Sequence, residues 1–99
     1  MLLATKVKNE IHKLNCTLEC NIKNISVNGE KRGCSGFITN PKTGACVYIN
    51  TEGTCCGPTS QQVMWRKAKD IHDYTGEQNH WCNSEVLVKT VVKAVSENA

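Results

Sequence analysis

The chain has 99 residues and a formal net charge of +3, from 12 Lys and Arg against 9 Asp and Glu. This length predicts one small domain over residues 1–99, with a modest core that oligomerisation often supplements. The weak positive charge does not by itself indicate nucleic-acid binding, and no apolar stretch is long enough to span a bilayer. The seven cysteines follow no repeated disulfide framework. Because the N-terminus lacks the apolar region of a signal peptide, we expect a cytoplasmic protein with reduced thiols.

The chain begins with a predicted helix followed by a strand. A helical spacing of apolar side chains predicts a helix over about residues 2–15. The stripe comprises Leu3, Val7, Ile11 and Leu14. From Leu18, apolar and polar residues alternate, as they do in a strand with one buried face. The alternation changes phase before Ile25, which predicts a β-bulge near Lys23–Asn24.

Two turns divide the next segment into strands. Asn28-Gly29 favours a tight type I′ hairpin turn, because that turn needs positive φ at both central residues. The second strand is predicted over residues 31–39, where Gly33 and Gly36 leave room for another backbone or a ligand to approach. The segment NPKTG then turns the chain into a third strand over residues 45–51.

The C-terminal half is predicted to be mainly helical. Thr59 or Ser60 caps a helix through about Ile71, with a buried stripe of Met64, Ala68 and Ile71. A last segment, capped by Asn83 or Ser84, favours a helix, although its β-branched residues leave a strand as the alternative. The predicted fold class is α+β, a three-stranded antiparallel β-meander packed with N-terminal and C-terminal helices in the order α-β-β-β-α-α.

The middle of the chain allows three functional hypotheses, of which the first is nucleophilic catalysis. The segment CGPTS at Cys56–Ser60 resembles the nucleophile motif of papain-like peptidases, where a helix N-terminus stabilises the thiolate. His72 or His80 is then the base, and Asp70 or Asp73 orients it. Too little chain follows the motif for the strands that those enzymes need. We therefore predict no enzymatic activity and no catalytic residue.

The second hypothesis is a metal site. His12, Cys16 and Cys20 recur at every fourth position and would share one face of a continued helix. Further ligands are available at Cys55, Cys56, His80 and Cys82. Structural zinc sites usually contain C-x2-C knuckles, and this chain has none. We therefore predict neither a metal nor a cofactor, and expect Cys20 and Cys34 to fill core positions.

The third and favoured hypothesis is binding of a small anion. Guanidinium and ammonium groups suit phosphates and carboxylates, and aromatic rings offer faces on which a base can stack. The predicted site comprises Arg32, Arg66 and Lys69 for phosphate, Tyr74 or Trp81 for stacking, and Glu52, Asp73 and Thr75 for polar edges. An ion pair of Arg66 with Glu52 or Asp70 is the structural alternative.

The order of several short motifs resembles small uncharacterised proteins of phages and mobile elements in low-GC bacteria. The motifs here are RGCSGF, NPKTG, RKAK and DYTGEQN, between Arg32 and Asn79. The resemblance implies a phage or mobile-element context and no particular mechanism, and phage proteins of this size are often stoichiometric inhibitors of host defence. We expect this protein to sequester a nucleotide immune signal in the host cytoplasm, as a homo-oligomer without membrane or specific nucleic-acid partners. The alternative is an inhibitor that binds a defence protein through exposed Trp65, Trp81 and basic residues.

Overall fold

The computed structural model describes residues 3–51, 62–73 and 78–96 of the chain. The elements are α1 (Ala4–Leu14), β1 (Glu19–Val27), β2 (Glu30–Thr39), β3 (Cys46–Asn50), β4 (Gln62–Ala68), β5 (His80–Asn83), a 3-10 turn (Ser84–Val86) and α2 (Leu87–Ser96). The strands form one antiparallel sheet in the order β1-β2-β3-β4-β5. The α+β class is confirmed, whereas the predicted three-stranded meander gains two further strands.

Both helices pack on the same side of the sheet and enclose the core. α1 contacts β1 and β2, and α2 contacts β2, β3, β4 and α1. The predicted stripe of α1 is buried at Val7 and Ile11, but Leu14 at the helix end is 54% exposed. The last segment is a helix, as favoured, and buries Leu87, Val88, Val91, Val92 and Val95. No helix in the described parts of the chain is long and apolar enough to cross a membrane.

The helix predicted to end near Ile71 is wrong over its described part, because residues 62–68 form β4. All of β3 pairs with residues 64–68 of this strand. Met64 and Ala68 do share a face, but as strand neighbours, and Ile71 lies exposed beyond the strand. The predicted cap residues lie outside the described residues; they are Thr59 and Ser60.

The apolar residues of this segment fit both a helical spacing and a strand alternation, and pairing with β3 selects the strand. Met64, Ala68 and Ile71 have helical spacing, yet Val63 and Trp65 also alternate with their polar neighbours in the manner of a strand. A strand here gives hydrogen-bond partners to the backbone groups of β3 that point away from β2, which a helix would leave unpaired. Tertiary pairing therefore overrides the helical period.

The β1–β2 hairpin has the predicted turn but a different bulge. Asn28 and Gly29 have φ angles of 53° and 80°, as a type I′ turn requires. The pairing of the two strands skips Arg32, which is therefore the extra residue of a bulge in β2. The bulge predicted near Lys23–Asn24 in β1 is wrong. The apolar pattern changes phase at Ile25 because that side chain lies on the other face of the sheet.

Gly36 permits the close approach between β1 and β2 that its position predicted. Its φ is 153°, a conformation that L-residues rarely adopt. A Cβ atom here would collide with the carbonyl oxygen of Asn21 and would lie 2.6 Å from the Cα of Ile22. On the helix side, Cys34 is fully buried, as predicted, and Cys20 packs at the margin of the core.

Candidate ligand-binding site

The face of the sheet opposite α1 and α2 is here called the helix-free face, because no helix of the described residues packs on it. It carries polar, charged and aromatic side chains in two rows that cross the strands. The central row contains one residue from each of β1 to β4, namely Asn21, Phe37, Tyr48 and Arg66. The outer row contains one residue from each of β1 to β5, namely Lys23, Ser35, Asn50, Met64 and Trp81. Side chains directly opposite each other on paired strands lie about 5 Å apart at Cβ. Each row is therefore a line of neighbours.

Arg66 is a buried cation in the central row and is only 4% exposed. Its guanidinium carbon lies 4.6 Å from the centroid of the Tyr48 ring, a cation–π distance. Its Nη2 donates a 2.9 Å hydrogen bond to the carbonyl oxygen of Asp73. Its Nη1 is buried and has no hydrogen-bond partner within the part of the chain that the structure describes. Because native proteins leave few buried donors unpaired, this nitrogen marks a candidate anion-binding position.

The turn over residues 69–73 lies against the central row. Asp73 accepts two hydrogen bonds, one from the Lys69 backbone N–H through its carboxylate and one from Arg66 through its carbonyl. Ile71, in the middle of the turn, borders the same hollow as Phe37. The turn thus helps to cover the helix-free face, where Phe37 is only 3% exposed.

A hollow of about 430 Å³ lies beside this turn and along β1. From the helix-free face it is lined by Asn21, Lys23, Ser35, Phe37, Tyr48 and Ile71. On the side of β1 that faces the helices it is bordered by Lys8, Cys20, Ile22 and Gly36. Two of these residues are lysines, and none of the described lining residues is acidic, so the hollow favours an anion. Its volume falls within the range of small-molecule sites.

Among the described residues, Trp81 offers the most accessible aromatic ring on this face. It is 45% exposed and lies opposite Met64, which makes it a diagonal neighbour of Arg66. Diagonal neighbours on paired strands lie about 7–8 Å apart, within reach of an indole. Tyr48 is less suited to stacking, because Arg66 covers its ring and Phe37 packs on it with 5.1 Å between ring centroids.

Four of the predicted ligand-binding residues lie on or beside the helix-free face. Arg66 and Trp81 belong to adjacent rows of that face. Lys69 and Asp73 begin and end the turn that follows β4, and the Lys69 side chain is exposed. Asp73 was predicted to bond the ligand, but its carboxylate accepts a hydrogen bond from the Lys69 backbone and its carbonyl accepts one from Arg66. In this structure Asp73 therefore positions Arg66.

Arg32 is not brought to this group. As the bulge residue of β2 it lies beyond the part of β2 that pairs with β3. It is five positions from Phe37, or about 17 Å along an extended strand. The remaining predicted residues lie outside the described part of the chain; they are Glu52, Tyr74 and Thr75.

Two polar residues of β1 also line this face and were not among the predicted site residues. Asn21 and Lys23 alternate with Cys20 and Ile22, a signal that could have placed them on the helix-free face. Their partners in β2 could not be inferred in the same way. The bulge at Arg32 shifts the β1–β2 pairing by one residue relative to the register that the turn alone would set.

His12 contacts both Cys20 and the backbone that enters β1. The Nε2 atom of His12 lies 3.2 Å from the carbonyl oxygen of Leu18 and 3.9 Å from the sulfur of Cys20. A carbonyl oxygen only accepts, so the tautomer that bonds Leu18 carries its proton on Nε2 and does not take a proton from the thiol at that atom. Burial also raises the pKa of the Cys20 thiol, although Lys8 opposes the shift. Residues 3–51, 62–73 and 78–96 contain no group of three or more side chains placed to hold a metal ion.

The histidines considered as catalytic bases make other contacts. His80 stacks on Trp65 with ring centroids 4.6 Å apart and an angle of 25° between the planes. The hydrogen bond that Asp70 accepts from His72 comes from the backbone N–H. Trp65 is partly buried against the core, so the expectation that it is an exposed binding residue is wrong. The proposed nucleophile and its neighbour lie outside the described residues; they are Cys56 and Cys55.

Comparison of the chain with protein-family models, curated proteins and solved structures finds no match, so its function is proposed from the residues and geometry described above.

Proposed function

We propose that the protein is a non-enzymatic binding protein that sequesters a small anionic nucleotide on the helix-free face. The observation that supports this most directly is the buried Nη1 of Arg66, a cationic donor without a partner among the described residues, near a hollow with two lysines. Arginine binds phosphate strongly because its hydrogen bonds are charge-assisted. The exposed ring of Trp81 suits stacking of a base. Phosphate and base together define a nucleotide.

Binding without turnover fits the thiols that the structure describes. Burial raises the pKa of the four thiols that lie in the sheet, which lowers their thiolate fraction near neutral pH. These residues are Cys20, Cys34, Cys46 and Cys82. The resemblance to small phage proteins supports a role in opposing host defence. The ligand is then a nucleotide immune signal, which the protein removes by stoichiometric capture in the host cytoplasm.

A thermal-shift panel on three proteins tests this function. The panel contains nucleoside mono- and diphosphates, cyclic mono- and dinucleotides, and linear and cyclised forms of ADP-ribose. The proteins are wild type, Arg66→Met, and the matched control Arg32→Met, which removes the same charge from an exposed position away from the site. Methionine keeps much of the arginine volume and removes the buried unpaired donor. Because the substitution also removes the cation–π contact with Tyr48 and the hydrogen bond to the Asp73 carbonyl, we expect Arg66→Met to fold with a free energy of unfolding about 1–3 kcal/mol below that of wild type.

A ligand at 100 times its dissociation constant should stabilise wild type by about 2.7 kcal/mol. For a domain of this size, that corresponds to a rise in Tm of roughly 10 °C or more. Arg32→Met should keep the rise and Arg66→Met should lose it. When the complex is heated, the nucleotide that it releases should be chemically intact. If no nucleotide raises the Tm of wild type, or if Arg66→Met responds as wild type does, the proposal is wrong.

We also propose that the site is completed by a second copy of the chain. A single domain of this size offers little concave surface, and ligand sites often lie between subunits. Sedimentation of the ligand-free and ligand-bound protein measures the assembly state. A monomer in both states would contradict this part of the proposal while leaving the single-chain site intact.

The exposure of Trp81 favours one second candidate, an inhibitor that binds a defence protein. An accessible tryptophan on the short edge strand β5 is a typical centre of a protein interface. Immobilised wild type and Trp81→Ala would be compared for capture of purified defence effectors. Capture that depends on Trp81 but is unaffected by Arg66→Met would favour this candidate over nucleotide binding.

A further inference from the structure

The hollow along β1 has cations of its own. Lys23 extends from the outer row, and Lys8 borders the hollow from α1. Asn21 and Ser35 add neutral hydrogen-bonding groups, while the described lining residues include no carboxylate. A lysine ammonium is a mobile point charge with three donors, which suits an anionic oxygen without fixing its direction. These features describe a site for an anionic group.

The Lys23 end of this hollow lies at a distance from the Arg66 guanidinium, although the hollow itself extends to Tyr48. The guanidinium lies over Tyr48 of β3, whereas Lys23 arises from β1, two strands away. Neighbouring strands are about 4.8 Å apart, so the two positions are separated by about 10 Å at the backbone. Phe37 occupies the strand between them, and Ile71 of the turn borders the same space. A single phosphate group is much smaller than this separation.

We propose that the hollow holds a second anionic group of the sequestered ligand. The ligand is then an elongated dianion, of which a linear or cyclic dinucleotide is the simplest class, with an uncharged sugar or base over the apolar centre. This inference rests on the proposed function, because it assigns the first anionic group to Arg66. It adds that nucleoside monophosphates are poor ligands.

The two ends of the ligand should respond differently to salt. Lys23 is exposed, whereas Arg66 is buried. Exposed charges are screened over about 8 Å at physiological ionic strength, and buried charges are screened much less. The salt dependence of dinucleotide binding should therefore come mainly from the β1 end.

Calorimetric titration of two matched variants tests the inference. Lys23→Gln removes the charge in the hollow, and Lys89→Gln removes an exposed charge from α2, on the other side of the sheet. The probes are adenosine and guanosine monophosphates, their 5′-phosphorylated linear dinucleotides and their cyclic dinucleotides. Wild type should bind at least one dinucleotide tenfold or more tightly than the monophosphates. Lys23→Gln should lose about tenfold of that affinity and most of its salt dependence, since charge-assisted hydrogen bonds contribute at this level. Lys89→Gln should behave as wild type.

Two results would overturn the inference, and they can be told apart. If mono- and dinucleotides bind equally and Lys23→Gln has no effect, while Arg66→Met abolishes binding, the second anionic position is wrong and nucleotide sequestration stands. If wild type binds none of these probes and none of the wider thermal-shift panel, the proposed function fails and the inference fails with it.

Discussion

Replacement of Gly36 by alanine should destabilise the protein far more than replacement of a glycine in an open turn. At Gly36 the new Cβ would meet the carbonyl oxygen of Asn21, and it would lie 2.6 Å from the Cα of Ile22 and 2.8 Å from the carbonyl carbon of Asn21. All three atoms belong to the backbone of β1, so the conflict cannot be relieved by a side-chain rotation. The hairpin itself has to move.

The expected cost has two parts. An L-residue held at a φ of 153° carries roughly 1–3 kcal/mol of backbone strain. Forcing extra volume into a packed position costs roughly 1–3 kcal/mol more. The sum, about 2–6 kcal/mol, is a large share of the roughly 5–15 kcal/mol that stabilises a typical native domain. The Tm should fall by at least about 8 °C.

Gly44→Ala separates the two parts. Gly44 has a φ of 78°, and no atom lies within 4 Å of the position that a Cβ would take, so alanine there meets strain without collision. Urea unfolding followed by tryptophan fluorescence gives both free energies, since Trp65 is partly buried. If Gly36→Ala loses no more stability than Gly44→Ala, the close approach of β1 to β2 is not present in solution.

Four further outcomes are expected from buried polar groups and thiols. Thr51→Val should cost about 1–3 kcal/mol in urea unfolding, because it removes the 2.8 Å acceptor of the buried Cys34 N–H; Thr51→Ser should recover most of the loss. Asn40→Ala should cost a similar amount, because Asn40 donates a 2.9 Å hydrogen bond to the carbonyl of Val95 near the end of α2. An unchanged urea midpoint would show that this hydrogen bond does not stabilise the fold. Burial raises the pKa of the Cys34 thiol above its value in the unfolded chain. The neutral buried thiol therefore contributes to the free energy of unfolding at neutral pH. This contribution should be lost as the pH rises above about 8.5, where unfolded thiols ionise. A disulfide reagent should label the exposed Cys16 at once and Cys34 only on unfolding, and equal rates would contradict the assigned burial.

Local signals in the sequence predicted the first helix and the first hairpin turn. The helical stripe around Val7 and Ile11 placed α1, because an amphipathic period reports a buried face directly. Asn28-Gly29 placed the hairpin turn, because few residue pairs tolerate two positive φ angles. The valine spacing of the last segment favoured a helix in the same way, but its β-branched residues left a strand possible, and the structure shows the helix α2. These features depend on neighbours in the chain and can be read from it.

Pairing between distant segments decided the rest. Residues 62–68 satisfy both a helical and a strand period, and only the free edge of β3 makes the strand the better state. The same pairing places Arg66 opposite Tyr48, so that a residue predicted to lie on a helix becomes a buried cation on a sheet. In the hairpin, the bulge at Arg32 sets which residues of β2 lie beside Lys23.

The sequence by itself therefore determined the α+β class, the amphipathic helix α1 and the residue types suited to an anion. Only the tertiary structure decided which of those residues meet. Strand register fixes the face and the neighbours of every side chain, and register depends on hydrogen bonds between segments far apart in the chain. For this reason the sequence could propose Arg66 and Trp81 as ligand-binding residues, but it could not predict that they share a face or that β1 forms a hollow beside them.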